Sequence, residues 1–407
     1  MKYFSNYFKT ILLAVFAFMA SNVKGQEVPD SLLQQMDSVE ISLLTCSPGQ
    51  QIWSLYGHTA IRYQDKAHDM DVTINYGMFD FSQKNFIPKF VFGRTDYHMG
   101  FEPFSMFMIE YAKEGRGVVQ QRLNLSREEK LAITQAIIDN YKPESRIYRY
   151  NFFYDNCTTR ARDMIVDHLN GKVEYKVDPS VNSSYRQMVH QWNHSHRWMS
   201  FGCDLLLGVG SDLKTDYQQQ QFLPDTLRKD FASAMVVEPN GKKHALVDST
   251  YDVLKVNDAN VDLKTSIWDT LTPTVVFAAL FILTIIITYY EYKRKKSFWL
   301  YDVVLLTLTG MCGLCLFAMI FSYHPTVRVN FQILLLNPLS FFFAYSVGNS
   351  ITKHHYNKYW TFLLVCAVLS LIGGIFQKYA EGLWLLACTL IVRWWINMKL
   401  YSVRKKK

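Results

Sequence analysis

Tyr150-Asn151-Phe152-Phe153-Tyr154-Asp155-Asn156-Cys157-Thr158-Thr159-Arg160 reads as a short aromatic strand that stops at Asp155-Asn156 and turns into a helix. From Thr158 onward, Ala161, Met164, Ile165, His168 and Leu169 recur at three- and four-residue steps, one apolar helical face, and Asn170-Gly171 supplies the stop. Asp155 or Asn156 is the natural N-cap. Cys157 therefore falls at a helix N-terminus, where the helix dipole and free N–H groups favour a thiolate. Such placement lowers a cysteine from about 8.5 to between roughly 3.5 and 7.5. The alternative is a Cys157 that only packs, as a small apolar residue. A strand-to-helix elbow favours the reactive reading.

A thiolate needs a base, and Ser54-Leu55-Tyr56-Gly57-His58-Thr59-Ala60-Ile61-Arg62 supplies His58, about a hundred residues earlier. The structural alternative for His58 is a satisfied strand histidine. A Cys–His pair carries out covalent acyl transfer: the thiolate attacks a carbonyl, the histidine moves the proton, and a third polar group orients the imidazole. Asn75, in Ile74-Asn75-Tyr76-Gly77, is the first choice for that third group, with Asp71 and His68 as alternatives. The backbone N–H of Cys157 is a ready oxyanion donor. Arg62, Arg160 and Arg162 suit an anionic head group, although surface arginines usually serve no such purpose. Tyr56 and Asp155 join Arg62 and Arg160 as candidate substrate contacts.

The rest of the chain sets the compartment. Residues 1 to 25 read as a secretory signal, with Lys2 and Lys9 before an apolar run from Ile11 to Ala20 and small residues at Val23-Lys24-Gly25. The run is shorter than the ~17 to 25 residues of a membrane span. Residues 26 to 268 are polar, mixed-charge and aromatic, and form an exported catalytic domain. Its strands and helices interleave without strict alternation, which predicts an α+β domain. Strands are expected over Trp53–Tyr63, Met70–Phe81, Val118–Leu125 and Ile147–Phe153. Ser126-Arg127-Glu128-Glu129 opens a helix to about Tyr141 with a capping-box pattern.

Residues 269 to 407 are mostly apolar and predict an all-α membrane domain of about five transmembrane helices, near 271–290, 300–323, 331–350, 359–377 and 381–400. Arg393 is costly at a bilayer centre and is expected towards the cytoplasmic end, with Trp394 and Trp395 in the interfacial belt. The formal net charge of +8 is concentrated beside apolar segments, at 293–296 and 404–407. That pattern sets membrane topology and argues against nucleic acid: the exported domain lies outside and the C-terminus in the cytoplasm. No zinc spacing, phosphate-binding loop or dinucleotide fingerprint occurs, so no metal or cofactor is expected. Of seven cysteines, Cys46, Cys157 and Cys203 fall in the exported part, and pairing Cys46 with Cys203 would leave Cys157 free.

Gly57-His58-Thr59-Ala60-Ile61-Arg62, Asn75-Tyr76-Gly77, Tyr154-Asp155-Asn156-Cys157-Thr158-Thr159-Arg160 and Phe222-Leu223-Pro224 together resemble the periplasmic domain of the Bacteroidota lipoprotein N-acyltransferase (Lnb) family, over roughly residues 30 to 240. The apolar segments resemble that family's membrane part. The His-before-Cys order and the Asn-Cys dipeptide also resemble circularly permuted members of the NlpC/P60 superfamily, a permuted papain-like group that includes the lecithin–retinol acyltransferase-like enzymes. The resemblance implies Cys157 as nucleophile and His58 as base, with a second histidine usual in the orienting role. This chain has Asp71 near that spacing and Asn75 a little later. It also implies the substrates: a phospholipid acyl donor and, as acceptor, the N-terminal amine of a diacylglyceryl-cysteine lipoprotein, at the bacterial inner membrane. Two other readings compete. A cell-wall peptidase or amidase of the NlpC/P60 kind uses the same dyad with water, and a non-enzymatic periplasmic sensor or transport component needs neither residue.

Overall fold

The computed structural model describes residues 29–79, 84–176, 182–257 and 271–401; the secretory signal expected over 1–25 lies outside them. The chain folds into two compact units. One comprises residues up to 80, 96–178 and 221–261, and the other 81–95, 179–220 and 262 onward. Two pieces of the segment read as exported, 81–95 and 179–220, thus group with the apolar C-terminal helices.

The first unit is built on a seven-stranded sheet with the order β10-β5-β1-β2-β3-β4-β6. Its strands are β1 (Val39–Cys46), β2 (His58–Asp65), β3 (Met70–Met78), β4 (Asp96–Pro103), β5 (Val118–Leu123), β6 (Ile147–Arg149) and β10 (Val247–Leu254). All neighbours pair antiparallel. A second, three-stranded sheet pairs β7 (Lys172–Glu174), β8 (Met235–Val237) and β9 (Lys243–Ala245). Alternation gives the large sheet two unlike faces. Ile41, Leu43, Ile61, Tyr63, Val72, Ile74 and Tyr76 point to one side, where they pack with Ile133 and Ile137 of the Arg127–Tyr141 helix. Ala161 and Ile165 of the Cys157–Val166 helix, and Leu227 and Phe231 of the Pro224–Ser233 helix, complete that core. The opposite face carries His58, Arg62, Asp71 and Asn75, with a smaller apolar cluster of Leu44, Cys46, Ala60, Phe107 and Tyr111. The expected capping box at Ser126 forms, with Glu129 N–H bound to Ser126 Oγ and Glu129 Oε2 accepting from Ser126 N–H.

Two of the expected strands differ for a reason that the local backbone makes plain. Ile52–Ser54 is a 3-10 turn, so β2 begins only at His58, because Gly57 takes φ +80°, a left-handed turn that glycine adopts without steric cost. The aromatic strand ends at Arg149, since Asn151 and Asp155 close a tight turn with reciprocal backbone hydrogen bonds of 2.9 Å each.

The second unit contains the helices Pro273–Arg294, Trp299–Met319, Leu339–Thr352, Tyr359–Gly373 and Leu383–Tyr401. Among the described residues, four segments are long and apolar enough to cross a membrane: 273–294, 299–319, 331–352 and 383–401. The segment expected at 359–377 is a 15-residue apolar helix, Tyr359–Gly373, short of a full span at 1.5 Å per residue. The third span breaks at Asn337-Pro338, between a 3-10 turn at Phe331–Leu334 and the helix from Leu339, as its proline requires.

Arg393 is fully buried in a three-helix cluster. Its guanidinium donates to Asp302 Oδ1 at 2.6 Å and Oδ2 at 2.8 Å, and to Glu291 Oε2 at 2.5 Å and Oε1 at 3.0 Å. Asn397 Nδ2 adds a bond to Asp302, and Ser297 Oγ one to Glu291. Glu291 lies at the last turn of the first span and Asp302 in the first turn of the second, so the cluster sits near the helix ends. Arg393 is thus paired on both sides at those helix ends, which offsets the cost of burying its charge.

Within this unit, residues 197–212 are stapled to the loops between spans and to the start of the third span. Gln332 Nε2 donates to the Asp204 carbonyl at 2.9 Å, Asn330 Nδ2 to that of Leu205 at 2.8 Å, and Gln377 Nε2 to that of Leu207 at 3.1 Å. These amides satisfy the orphan carbonyls at the C-terminus of the Arg197–Leu206 helix. At its other end Arg197 pairs with Glu381 and Trp198 Nε1 donates to the Leu271 carbonyl. Buried Arg186 closes the network onto Asp204 and Asp212.

The Cys46–Cys203 pairing does not occur. Neither cysteine is in a disulfide: Cys46 is buried on β1 of the first unit and Cys203 lies on the Arg197–Leu206 helix of the second.

Candidate active site

Cys157 is the first residue of its helix, and Asn156 is the N-cap. Asn156 Oδ1 accepts from the N–H groups of Thr158 at 2.8 Å and Thr159 at 2.9 Å, while Thr159 Oγ1 accepts from the Asn156 N–H at 2.9 Å. Asn156 Nδ2 donates to the carbonyls of Phe152 and Phe222, both at 2.9 Å. This explains the Phe222-Leu223-Pro224 motif. Its first residue fixes the cap, and its proline packs against Gly57, where an added Cβ would lie 3.6 Å from Pro224 Cγ. Asp155, the other candidate cap, instead binds Arg160 through two bonds of 2.6 and 2.9 Å.

The Cys157 side chain meets three donors. His58 hydrogen-bonds the sulfur from its side chain, Thr59 from its backbone N–H, and Thr158 Oγ1 lies 3.8 Å away. The far nitrogen of the imidazole, Nε2, is 2.5 Å from Asn75 Oδ1. An amide oxygen only accepts, so Nε2 carries a hydrogen and Nδ1 is the nitrogen left for the sulfur. The amide of Asn75 is fixed in turn, because its Nδ2 donates to Glu102 Oε1 at 2.9 Å. Strand pairing brings these groups together: Asn75 pairs with Ala60 on β2 and with Gly100 on β4.

Electrostatics follow the geometry. Burial pushes the Cys157 thiol up, but the His58 charge and the hydrogen bonds from His58, Thr59 and Thr158 outweigh it, bringing the thiol from 9.0 down to about 7. Burial likewise disfavours the charged His58, and the Cys157 charge with bonds to Cys157 and Asn75 overcomes it, so His58 is raised. The two shifts describe one thiolate–imidazolium pair. Burial is also the main reason that Glu102 is raised.

The structure brings together Cys157, His58 and Asn75. It engages the other two candidates for the orienting place elsewhere: Asp71 takes both Arg62 Nε and Nη2, at 2.8 and 2.6 Å, and His68 binds Asp65 at 2.6 Å. Arg62 also donates to Gln120 at 2.8 Å and stacks 3.6 Å over the Phe104 ring. Its guanidinium is thus engaged by partners on the sheet and by the Phe104 ring. Arg160 is held by Asp155 and stacks 3.6 Å over Tyr148, and Arg162 is buried against Asp163 and Gln221. Tyr56 stands edge-on to Phe152 with ring centroids 5.1 Å apart. Phe152 and Phe153 in turn meet Phe222 at 5.7 and 5.2 Å, an aromatic cluster beside the Asn156 cap. Trp53 is mostly exposed.

Sequence reasoning missed Glu102 and the two threonines. Thr59 and Thr158 stand next to His58 and Cys157 and bond each other at 3.1 Å, so adjacency was a usable signal. Glu102 had none, because only the β3–β4 pairing carries it to Asn75.

Among the described residues no cluster of histidine, cysteine or carboxylate side chains is arranged to hold a metal ion. The family model described as the Lnb N-terminal periplasmic domain matches residues 33–191. The one described as the Lnb transmembrane domain matches residues 264–406. No curated protein and no solved structure matches the chain.

Proposed function

We propose that this chain, which belongs to the Lnb family, is a membrane-bound acyltransferase that moves an acyl chain from a phospholipid, through a Cys157 thioester, to the N-terminal amine of a diacylglyceryl-cysteine lipoprotein. The observation that carries the reading is the Cys157–His58–Asn75 line, with the thiol lowered to about 7 at a helix N-terminus. The Cys157 thiolate attacks the donor ester carbonyl and forms the C–S bond. His58, as imidazolium, gives its proton to the departing glycerol oxygen as the C–O bond breaks. The lipoprotein amine then attacks the thioester carbonyl, His58 takes the amine proton, the C–N bond forms, and the thiolate is released. Asn75 keeps the imidazole in the tautomer this requires. The Tyr56–Phe152–Phe153–Phe222 cluster supplies apolar surface beside the nucleophile, which suits acyl chains and disfavours water as acceptor.

The catalytic domain is periplasmic and attached to a multi-pass membrane domain, so both lipid substrates are met in one leaflet, which turns two encounters into a local search. We place the protein in the inner membrane with the C-terminus in the cytoplasm, from the secretory signal and the basic segments. The test is mass spectrometry of the full-length protein in membranes. A hydroxylamine-sensitive acyl adduct should appear on Cys157, and a lipoprotein N-terminus should gain a third acyl chain. A lipoprotein that stays diacylated while muropeptides change overturns this reading in favour of a cell-wall hydrolase.

A further inference from the structure

Tyr148, on β6, has a side chain the proposed dyad does not use. The residue is 6 % exposed, and its hydroxyl has no hydrogen-bond partner among the described residues. A buried hydroxyl left without a partner loses its hydration with nothing to replace it, so such groups in native proteins call for an explanation. Its position supplies one. Gly77 follows the Asn75-Tyr76 pair at φ +88°, where β3 bulges between Asn75 and Met78. A Cβ on Gly77 would stand 3.6 Å from Cys157 Cβ and 3.9 Å from Tyr148 Oη. The missing side chain thus leaves a space bordered by the nucleophile on one side and the unpartnered hydroxyl on the other.

A second donor serves the same locality. The Cys157 backbone N–H, at the first position of the helix, is not taken up by the Asn156 cap, which binds Thr158 and Thr159 instead, and it has no acceptor among the described residues. Arg160, clamped by Asp155, lies 3.6 Å over the Tyr148 ring and draws electron density from the phenol, which strengthens its O–H as a donor. Burial raises the Tyr148 hydroxyl far above its ordinary value, the Cys157 charge adding to the effect. The group therefore remains an O–H at every working pH.

We propose that Tyr148 is a catalytic residue: with the Cys157 N–H, its hydroxyl forms the oxyanion hole of the acyl-transfer reaction. The inference rests on the acyltransferase reading above. As the C–S bond forms, the donor carbonyl's π electrons move to its oxygen, and the resulting alkoxide accepts from Tyr148 Oη–H and Cys157 N–H. Collapse of the intermediate restores the C=O bond and expels the glycerol oxygen, which takes the His58 proton. Tyr148 keeps its proton throughout and acts only by hydrogen bonding.

Tyr148→Phe tests this in the full-length protein in membranes supplied with phospholipid. The substitution removes one oxygen and no existing hydrogen bond, so thermal stability should be unchanged or slightly higher. The single-turnover rate of Cys157 thioester formation should fall ~100- to 1,000-fold, the loss typical for one oxyanion donor. Alkylation of Cys157 by iodoacetamide proceeds without an oxyanion and should keep its rate and pH dependence. A thioester rate within about threefold of wild type overturns the proposal. So does an equal loss of alkylation, which would make Tyr148 a support for the thiolate. A wild-type protein that forms no thioester overturns the acyltransferase reading itself, and the inference with it.

Discussion

Cys46 and Cys157 have surroundings that push them in opposite directions. Cys46 is enclosed on β1, where burial moves its thiol up to about 12, while Cys157 is brought to about 7 by His58 and its neighbours. Only the thiolate is alkylated, so iodoacetamide labelling of the folded protein should rise with pH to half its maximum near 7 at Cys157. Cys46 should stay unlabelled below pH 10, and peptide mapping after timed quenching distinguishes the two. His58→Ala removes the largest influence holding Cys157 down while burial remains, so the labelling midpoint should move to 9 or above. Asn75→Ala should shift it less, because His58 persists with a looser ring. Function should disappear in Cys157→Ser and His58→Ala alike. The contact between Cys157 and His58 was legible in the sequence, since a cysteine after a capping residue and a histidine after a glycine each have a local signature. The choice among Asn75, Asp71 and His68 was not. Spacing cannot say which carboxylate an arginine will claim, and it is Arg62 that removes Asp71 from contention.

At the level of elements, the bulge in β3 and the charged clip between spans make separate predictions. Gly77 holds a positive φ next to Cys157, so Gly77→Ala should cost ~1–2 kcal/mol in stability and a larger fraction of thioester formation, because the new methyl enters the space beside the sulfur. Chemical denaturation and single-turnover acylation measure the two effects separately. In the helical unit, Arg393→Met would leave Glu291 and Asp302 facing each other without a cation. Breaking a buried pair from one side costs roughly 3–5 kcal/mol, so the melting temperature in detergent should drop sharply. A triple Glu291→Gln, Asp302→Asn, Arg393→Met variant should recover most of it. The sequence marked Arg393 as costly, yet its partners lie 102 and 91 residues away, a separation that only helix packing closes. Apolar runs gave the membrane helices themselves, with the Asn337-Pro338 break correctly marking a bent third span.

Over the whole molecule, the division into units differs from the composition boundary near residue 270. The chain passes from one unit to the other at residues 80, 95, 178, 220 and 261. Residues 81–95 and 179–220 are too polar and short to be read as membrane-associated, and their partners are loop carbonyls and amides far along the chain, so no window of sequence reveals them. A fragment ending at residue 268 is therefore expected to lack the partners of its Arg197–Leu206 helix. It should be recovered aggregated or protease-sensitive around residues 180–220, whereas the full-length protein in membranes resists cleavage there. Limited proteolysis of both forms decides the matter, and an equally resistant fragment would show that the exported part folds independently.

The amide that caps the Leu207 carbonyl belongs to Gln377, 170 residues further on. At about 5–20 residues per second, a ribosome needs roughly 10 to 30 s to make that stretch. During this interval the Leu207 region is already made while its partner is not, and the last spans have yet to insert. The order of synthesis thus makes completion of the helical unit a late event in the life of the chain. Until that moment the nascent protein carries a bare helix terminus, whose carbonyls have only water or passing donors in place of the amides that will cap them.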